Sequence, residues 1–338
     1  MKNVFLIVFF LQLCLCKTEA QFFNVSTVNI ERVRVRNLIV VMQEADPKFL
    51  KKIEKHPDKQ KRYNTIIAEA NQTLKKCILK YWTINDIDFM SYSQCRNSNK
   101  ETDTSFFTIY FASLQKDMEL LVAKDYSREE LLKIVNPGRI EVELMEHFFN
   151  TNPFNKEPIY VWNTPTAYPY EGDLIIAIQQ IRNYFNHKYE EPRFNTKMYY
   201  QLTRQLTFNL AYKTLLLDAA ETKKYGGSYE YIHEDYPYKY KVTNFAEIVD
   251  AIKTRDTNYA YVAIIPYHDE VGRGGSYMGT FGGGMSGYSQ EYYYMHLVID
   301  AATSTILSIG SASEFANLNY FESYIDKTSL KNYARHVE

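Results

Sequence analysis

Two short runs without a polar residue constrain this chain most. Leu38-Ile39-Val40-Val41-Met42 and Leu215-Leu216-Leu217 are apolar at every position, so neither alternates as a strand with one wet face does. Such a strand is buried on both faces and sits centrally in a sheet, with other layers above and below it. Helices supply those layers, and the clearest one follows the first run. Tyr63, Ile66, Ile67, Ala70, Leu74, Cys77, Ile78 and Tyr81 recur at steps of 3,1,3,4,3,1,3, the spacing of one helical face. The expectation is an α/β (or α+β) protein of two units, each a mixed sheet covered by amphipathic helices.

In the first unit, residues 21–150, the alternation Arg32-Val33-Arg34-Val35-Arg36 reads as a strand, as do residues 84–93 and 105–111. Ser127-Arg128-Glu129-Glu130 is a capping box that opens a helix, and Asn136-Pro137-Gly138 stops it. Pro153, Pro158, Pro165 and Pro169 mark residues 151–171 as a linker or edge segment, with an edge strand at 159–162. The second unit, 172–338, opens with helical spacing through Leu174, Ile178, Ile181 and Phe185, then Leu202, Leu206 and Leu210. Strands are expected at 213–218, 236–242 and 259–266, a capping box at 244–247, and a hairpin over 292–300 and 305–309. A last helix is expected through Phe315, Leu318, Phe321 and Ile325. The halves share a rhythm: 38–42 corresponds to 214–217, 84–93 to 238–243, and 106–111 to 260–266.

Residues 1–20 read as a cleavable secretory signal. Lys2 is followed by an apolar run over residues 4–16, shorter than the roughly 20 residues that span a bilayer. Thr18 and Ala20 stand at the small-x-small positions before Gln21, where the mature chain would begin. Cys14 and Cys16 follow Leu13 and Leu15 rather than the small residue that lipidation wants, which leaves an N-terminal lipid open. No later stretch approaches spanning length. The chain is therefore expected outside the cytoplasm: periplasmic, outer-membrane-associated or extracellular. Loss of Lys2, Lys17 and Glu19 takes the formal net charge from −1 to −2. With both signs mixed along the chain, this excludes nucleic acid as the expected partner.

Residues 213–218, followed by Tyr236-Pro237-Tyr238 and by residues 245–252, resemble a pattern in uncharacterised exported bacterial proteins. The resemblance covers about the second half and implies an α/β domain of the cell envelope. It carries no active site.

Four features bear on chemistry. Cys77 and Cys95 would remain after signal removal, and in an oxidising compartment they are a possible disulfide; two buried thiols is the alternative. Residues 272–287 hold eight of the chain's 13 glycines. They lack the Gly-Lys-Ser/Thr and following helix of a phosphate loop, and read as a glycine-rich hairpin excursion. The chain has 30 tyrosines, clustered at 225–240 and 288–294, where aromatic faces with phenolic tips suit sugar, peptide or protein surfaces as well as ordinary packing. Tyr277, Phe281, Tyr288, Tyr292 and Tyr294 are the expected partner-binding residues around the glycine segment. The histidines show no metal-ligand spacing, and no catalytic, cofactor or metal motif is present. The leading expectation is a non-enzymatic binding or assembly component of the envelope, with a protein or glycan partner. The alternative is a hydrolase of envelope polymers using His268, Asp269 and His296.

Overall fold

The computed structural model describes residues 27–97, 104–134, 136–145, 158–267, 293–310, 322–335 and 337. Helix α1 (Thr27–Arg34) leads into β1 (Asn37–Met42), followed by α2 (Pro47–Lys52), the long α3 (Pro57–Tyr81), β2 (Ile87–Ser91) and α4 (Tyr92–Asn97). Next come β3 (Phe106–Phe111), a 3-10 turn, α5 (Met118–Leu121), α6 (Arg128–Ile134), β4 (Gly138–Leu144) and β5 (Tyr160–Thr164). The second half runs α7 (Glu171–Glu190), α8 (Thr196–Leu206), a 3-10 segment (Thr207–Tyr212), β6 (Thr214–Asp218) and α9 (Tyr231–Asp235). It continues with β7 (Tyr240–Thr243), α10 (Phe245–Thr254), β8 (Tyr259–Tyr267), β9 (Tyr293–Asp300), β10 (Ile306–Gly310) and α11 (Lys327–Ala334).

Each half builds one five-stranded mixed sheet, in the orders β2-β1-β3-β4-β5 and β10-β9-β8-β6-β7. The same path is traced twice. The first three strands of each half are parallel with the first strand central, and the last two add antiparallel at one side. The paired rhythm of the sequence is this path: β1, β2 and β3 correspond to β6, β7 and β8. The apolar runs are the central strands, with Leu38, Ile39, Val40, Leu215, Leu216 and Leu217 wholly buried.

The expected α3 face buries at all eight positions. It packs in one continuous core with Leu38, Val40, Phe107, Ile140 and Trp162 of the first sheet. That core also takes Leu216, Tyr261, Leu297 and Ile299 from one face of the second sheet. Helix α7 joins them: Leu174, Ile175, Ile178, Ile181 and Phe185 are fully buried, and it touches α1, α3, α10 and β5. A helix buried this widely is enclosed rather than laid on a surface. The far face of the second sheet, through Leu215, Leu217, Val262 and Val298, is covered by Ile232, Leu330 and Tyr333 of α9 and α11.

Several elements differ from expectation. Residues 32–36 close a helix: Ile30 and Val33, three apart, reach the core while Val35 is 81% exposed. The alternation of charge there is a coincidence of helix faces. The last part of the expected strand 84–93 turns into α4, and the tyrosine strand begins only at Tyr240, because residues 231–235 form α9. Strand β4 is an addition to the expected strands, with Ile140, Val142 and Leu144 alternating with Arg139, Glu141 and Glu143. Gly138 opens it because a Cβ there would stand 2.1 Å from Thr164 Oγ1 and 2.3 Å from the Thr166 carbonyl. The segment 151–171 supplies edge strand β5 of the first sheet. Helix α11 is centred on Leu330 and Tyr333; of the residues marking the expected last helix, Phe315, Leu318 and Phe321 lie outside the described residues.

Candidate functional site at the carboxyl edge of the second sheet

The chain leaves β6 toward β7 and leaves β8 toward β9 on the other side, so the carboxyl ends of β6 and β8 flank a topological switch point. Crevices form at such points in α/β sheets. In the first sheet the equivalent place is stitched shut. Gln43 donates its amide to the Phe111 carbonyl at 2.5 Å, Asn71 accepts from the Gln43 backbone, and Glu44 accepts from Ser93.

In the second sheet the same edge holds a buried ionic cluster. Arg128, the first residue of α6, donates to Asp173 at 3.1 and 3.3 Å, to Asp218 at 3.0 Å and to Glu221 at 3.5 Å. The guanidinium lies 3.6 Å from the centre of the Phe245 ring. All four charged side chains are nearly out of water, from 2% to 11% exposed. Local sequence explains the placement: the Ser127–Glu130 capping box forms as expected, with reciprocal bonds of 2.8 and 3.2 Å that fix the first turn of α6. Gly172 lets α7 approach α10, since a Cβ there would meet Val249 at 2.4 Å and Phe245 at 2.7 Å. One cation faces three carboxylates. Burial pushes the Glu221 carboxyl up to about 7, against the pull of Arg128, and the Asp218 carboxyl is raised for the same first reason. Among the described residues no group of three or more His, Cys, Asp or Glu is arranged to hold a metal ion; the cluster is an interlock between α6, α7 and the end of β6.

Glu221 leads directly to the surface. Its carbonyl accepts from Ile325 N at 2.6 Å, and Lys223 N donates to the Ile325 carbonyl at 2.9 Å, which ties residues 221–223 to the start of α11. Tyr225 and Ser228 then pair across Gly226 and Gly227, whose φ values of 59° and 82° are those of a two-residue hairpin turn. Around this turn tyrosine rings and lysine ammonium groups interleave. Lys223 lies over Tyr225 (5.2 Å) and Tyr324 (4.8 Å), and Lys327 over Tyr225 (5.4 Å) and Tyr231 (5.6 Å). Lys224 lies over Tyr229 (5.2 Å), and Tyr225 meets Tyr231 edge-on at 4.7 Å. Tyr231 anchors the group by donating to the Lys223 carbonyl at 2.7 Å. No salt bridge engages Lys223, Lys224 or Lys327 among the described residues. Asp326, the N-cap of α11, accepts from Ser329 and lends its charge to Lys223 without forming a salt bridge to it.

The expected residues fall as follows. Tyr277, Phe281, Tyr288, Tyr292, His268, Asp269, Ala20 and Gln21 lie outside the described residues. Tyr294 is on β9 opposite Pro266, half-buried against the second core. Of the 225–240 cluster, Tyr231 and Tyr236 are core residues and Tyr229, Tyr238 and Tyr240 pack on that core, leaving Tyr225 at the surface. His296 is fully buried on β9. Its Nε2 is 2.9 Å from the Glu322 carbonyl, which can only accept, so Nε2 carries the proton and Nδ1 accepts from the Tyr333 hydroxyl at 2.6 Å. Burial lowers its pKa to about 4, and neither ring nitrogen is left for a substrate.

The possible disulfide is corrected. Cys77 faces the shared core and Cys95 lies with Ile39 and Val41 on the opposite face of the first sheet, and no bridge joins them. Burial raises the Cys77 thiol to about 12. No described helix is long and apolar enough to cross a membrane. Compared with protein-family models, curated proteins and solved structures, the chain matches none.

Proposed function

We propose that the protein is an exported, non-enzymatic binding component of the cell envelope, and that it holds an acidic partner against the tyrosine–lysine surface around Gly226-Gly227. The observation that supports this reading is three lysines held over aromatic rings, two beside a tied-down turn and one at the start of α11, with no salt bridge to any of them among the described residues. Cations pre-positioned in this way draw an anionic partner with little further ordering cost. Tyrosine beside them adds contact area and a hydrogen-bonding tip. Engagement of both His296 nitrogens favours binding over hydrolysis at this edge of the fold.

A photo-crosslinking residue at position 225, in the protein expressed in its own envelope, tests the reading. Position 212, which is 80% exposed and precedes β6, serves as control. A reproducible product from 225 alone, lost when Lys223, Lys224 and Lys327 are all changed to Gln, supports it. No product, or the same product from both positions, sinks it. Mass spectrometry of the exported chain should find Gln21 at the N-terminus.

A further inference from the structure

A separate cavity of about 180 Å³ lies between the C-terminal turns of α7, the helix α8 and the β9–β10 turn. Its wall carries hydrogen-bonding groups that the fold leaves unused. His187 stacks on Phe194 (5.1 Å, 20°) and meets Tyr199 edge-on (6.2 Å, 84°), yet neither ring nitrogen is hydrogen-bonded among the described residues. Asn186 and Glu190, one and three positions away on the α7 surface, make no hydrogen bond or ion pair there either. Thr305 accepts from the Thr303 hydroxyl at 2.9 Å and keeps its own proton to donate. By contrast, Asn183 and Thr203 are consumed by the fold: Asn183 joins Ser304 to Arg182, and Thr203 donates to the Tyr200 carbonyl.

These unused groups define the ligand. Burial lowers the His187 pKa, so its ring is neutral and offers one donor and one acceptor. Among the described residues no lysine or arginine lines the cavity, and its one acidic residue, Glu190, is exposed at the rim. An anion therefore finds no counter-charge, and a metal ion finds too few ligands. Leu202, Ile306 and the ring of Tyr199 give an apolar strip beside the polar groups. At about 30 Å³ per water, the volume equals roughly six waters, the size of one six-membered sugar ring.

We infer that this cavity binds a single ring of a neutral saccharide. The hydroxyls exchange hydrogen bonds with Asn186, His187, Glu190 and Thr305, and the C–H face lies on Tyr199 and Leu202. The site is independent of the lysine surface and goes beyond the reading given for it.

The test is NMR of ¹⁵N-histidine-labelled mature protein titrated separately with glucose, galactose and N-acetylglucosamine, the His187 ring signal being assigned from a His187→Asn variant. At least one sugar should shift that signal saturably. Asn186→Ala and Thr305→Val, which alter the cavity's rim and not the core, should each weaken binding about 3- to 10-fold, the worth of one hydrogen bond. The Lys223/Lys224/Lys327→Gln variant should leave the shift unchanged, which separates failure here from failure of the lysine surface. The inference is overturned if none of the three sugars moves His187, or if both rim variants bind like wild type. It is also overturned if zinc or inorganic phosphate alone saturates the same signal.

Discussion

Replacing Arg128 by Met removes the one cation from three buried carboxylates while keeping most of its volume. With side chains 2%, 4% and 7% exposed, Asp173, Asp218 and Glu221 cannot turn to water without opening the interlock of α6, α7 and β6. Breaking a buried pair from one side costs about 3–5 kcal/mol, because the remaining charge is uncompensated. The pH dependence follows from the raised Glu221 and Asp218 carboxyls. Between its ordinary value and about 7 the folded Glu221 holds a proton that the unfolded chain has released, and the raised Asp218 acts in the same direction, so stability from this cluster falls as pH rises through that window. Losing the guanidinium, which pulls both carboxyls down, steepens that fall. At pH 8 the variant should lose about 3–5 kcal/mol, which is about 4–7 °C in Tm. At pH 5 protonation relieves the repulsion, and about 1–2 kcal/mol remains for the lost contact with Phe245. Urea unfolding followed by the fluorescence of Trp82 and Trp162, both buried, reads this directly. A loss under about 1 kcal/mol at pH 8, or equal losses at the two pH values, would refute the cluster as an interlock.

Gly172→Ala should cost about 1–3 kcal/mol, since its methyl meets Val249 and Phe245 at less than 3 Å and α7 must back away from α10; thermal melts check it. His296 has its folded pKa lowered to about 4, so its contribution is complete above the unfolded value near 6.5 and is lost as pH falls toward 4. His296→Phe should flatten acid unfolding in that interval, and an unchanged acid limb would contradict the buried-neutral assignment. Without reductant, the intact mass of a chain of residues 21–338 should equal that of two thiols, and Cys77 should resist alkylation until denaturant is added.

The parts of the fold legible in sequence were those where one physical demand set the pattern. The α3 face, the all-apolar β1 and β6, and the Ser127–Glu130 box each answer to a single local rule, and each formed. The 32–36 alternation misled because Ile30 and Val33 also satisfy helical spacing, and only the tertiary core decides between the two. Strand β4 begins at the same Gly138 that ends the Asn136-Pro137-Gly138 helix stop, so the stop signal masks a strand whose alternation runs from Ile140 to Leu144. The tyrosine cluster was visible as composition. Its division into core Tyr231 and Tyr236 and surface Tyr225 depends on α9 and on the Thr222–Ile325 bridge, which join residues about 100 apart in sequence. The Arg128 cluster was illegible for the same reason: its members come from α6, α7 and the end of β6, with no spacing in common. The His187 cavity left only the pair His187 and Glu190, one helical turn apart, as a trace.

The most direct measurement of the central claim is the dissociation constant of residues 21–338 for two soluble acidic polymers, polyglutamate and a polyuronate, at low and at physiological ionic strength. The account predicts binding of at least one polymer that weakens with salt. The Lys223/Lys224/Lys327→Gln variant should bind it about ten-fold or more weakly, with most of the salt dependence gone. A variant that binds as wild type does, or a wild type that binds neither polymer at low salt, would contradict it.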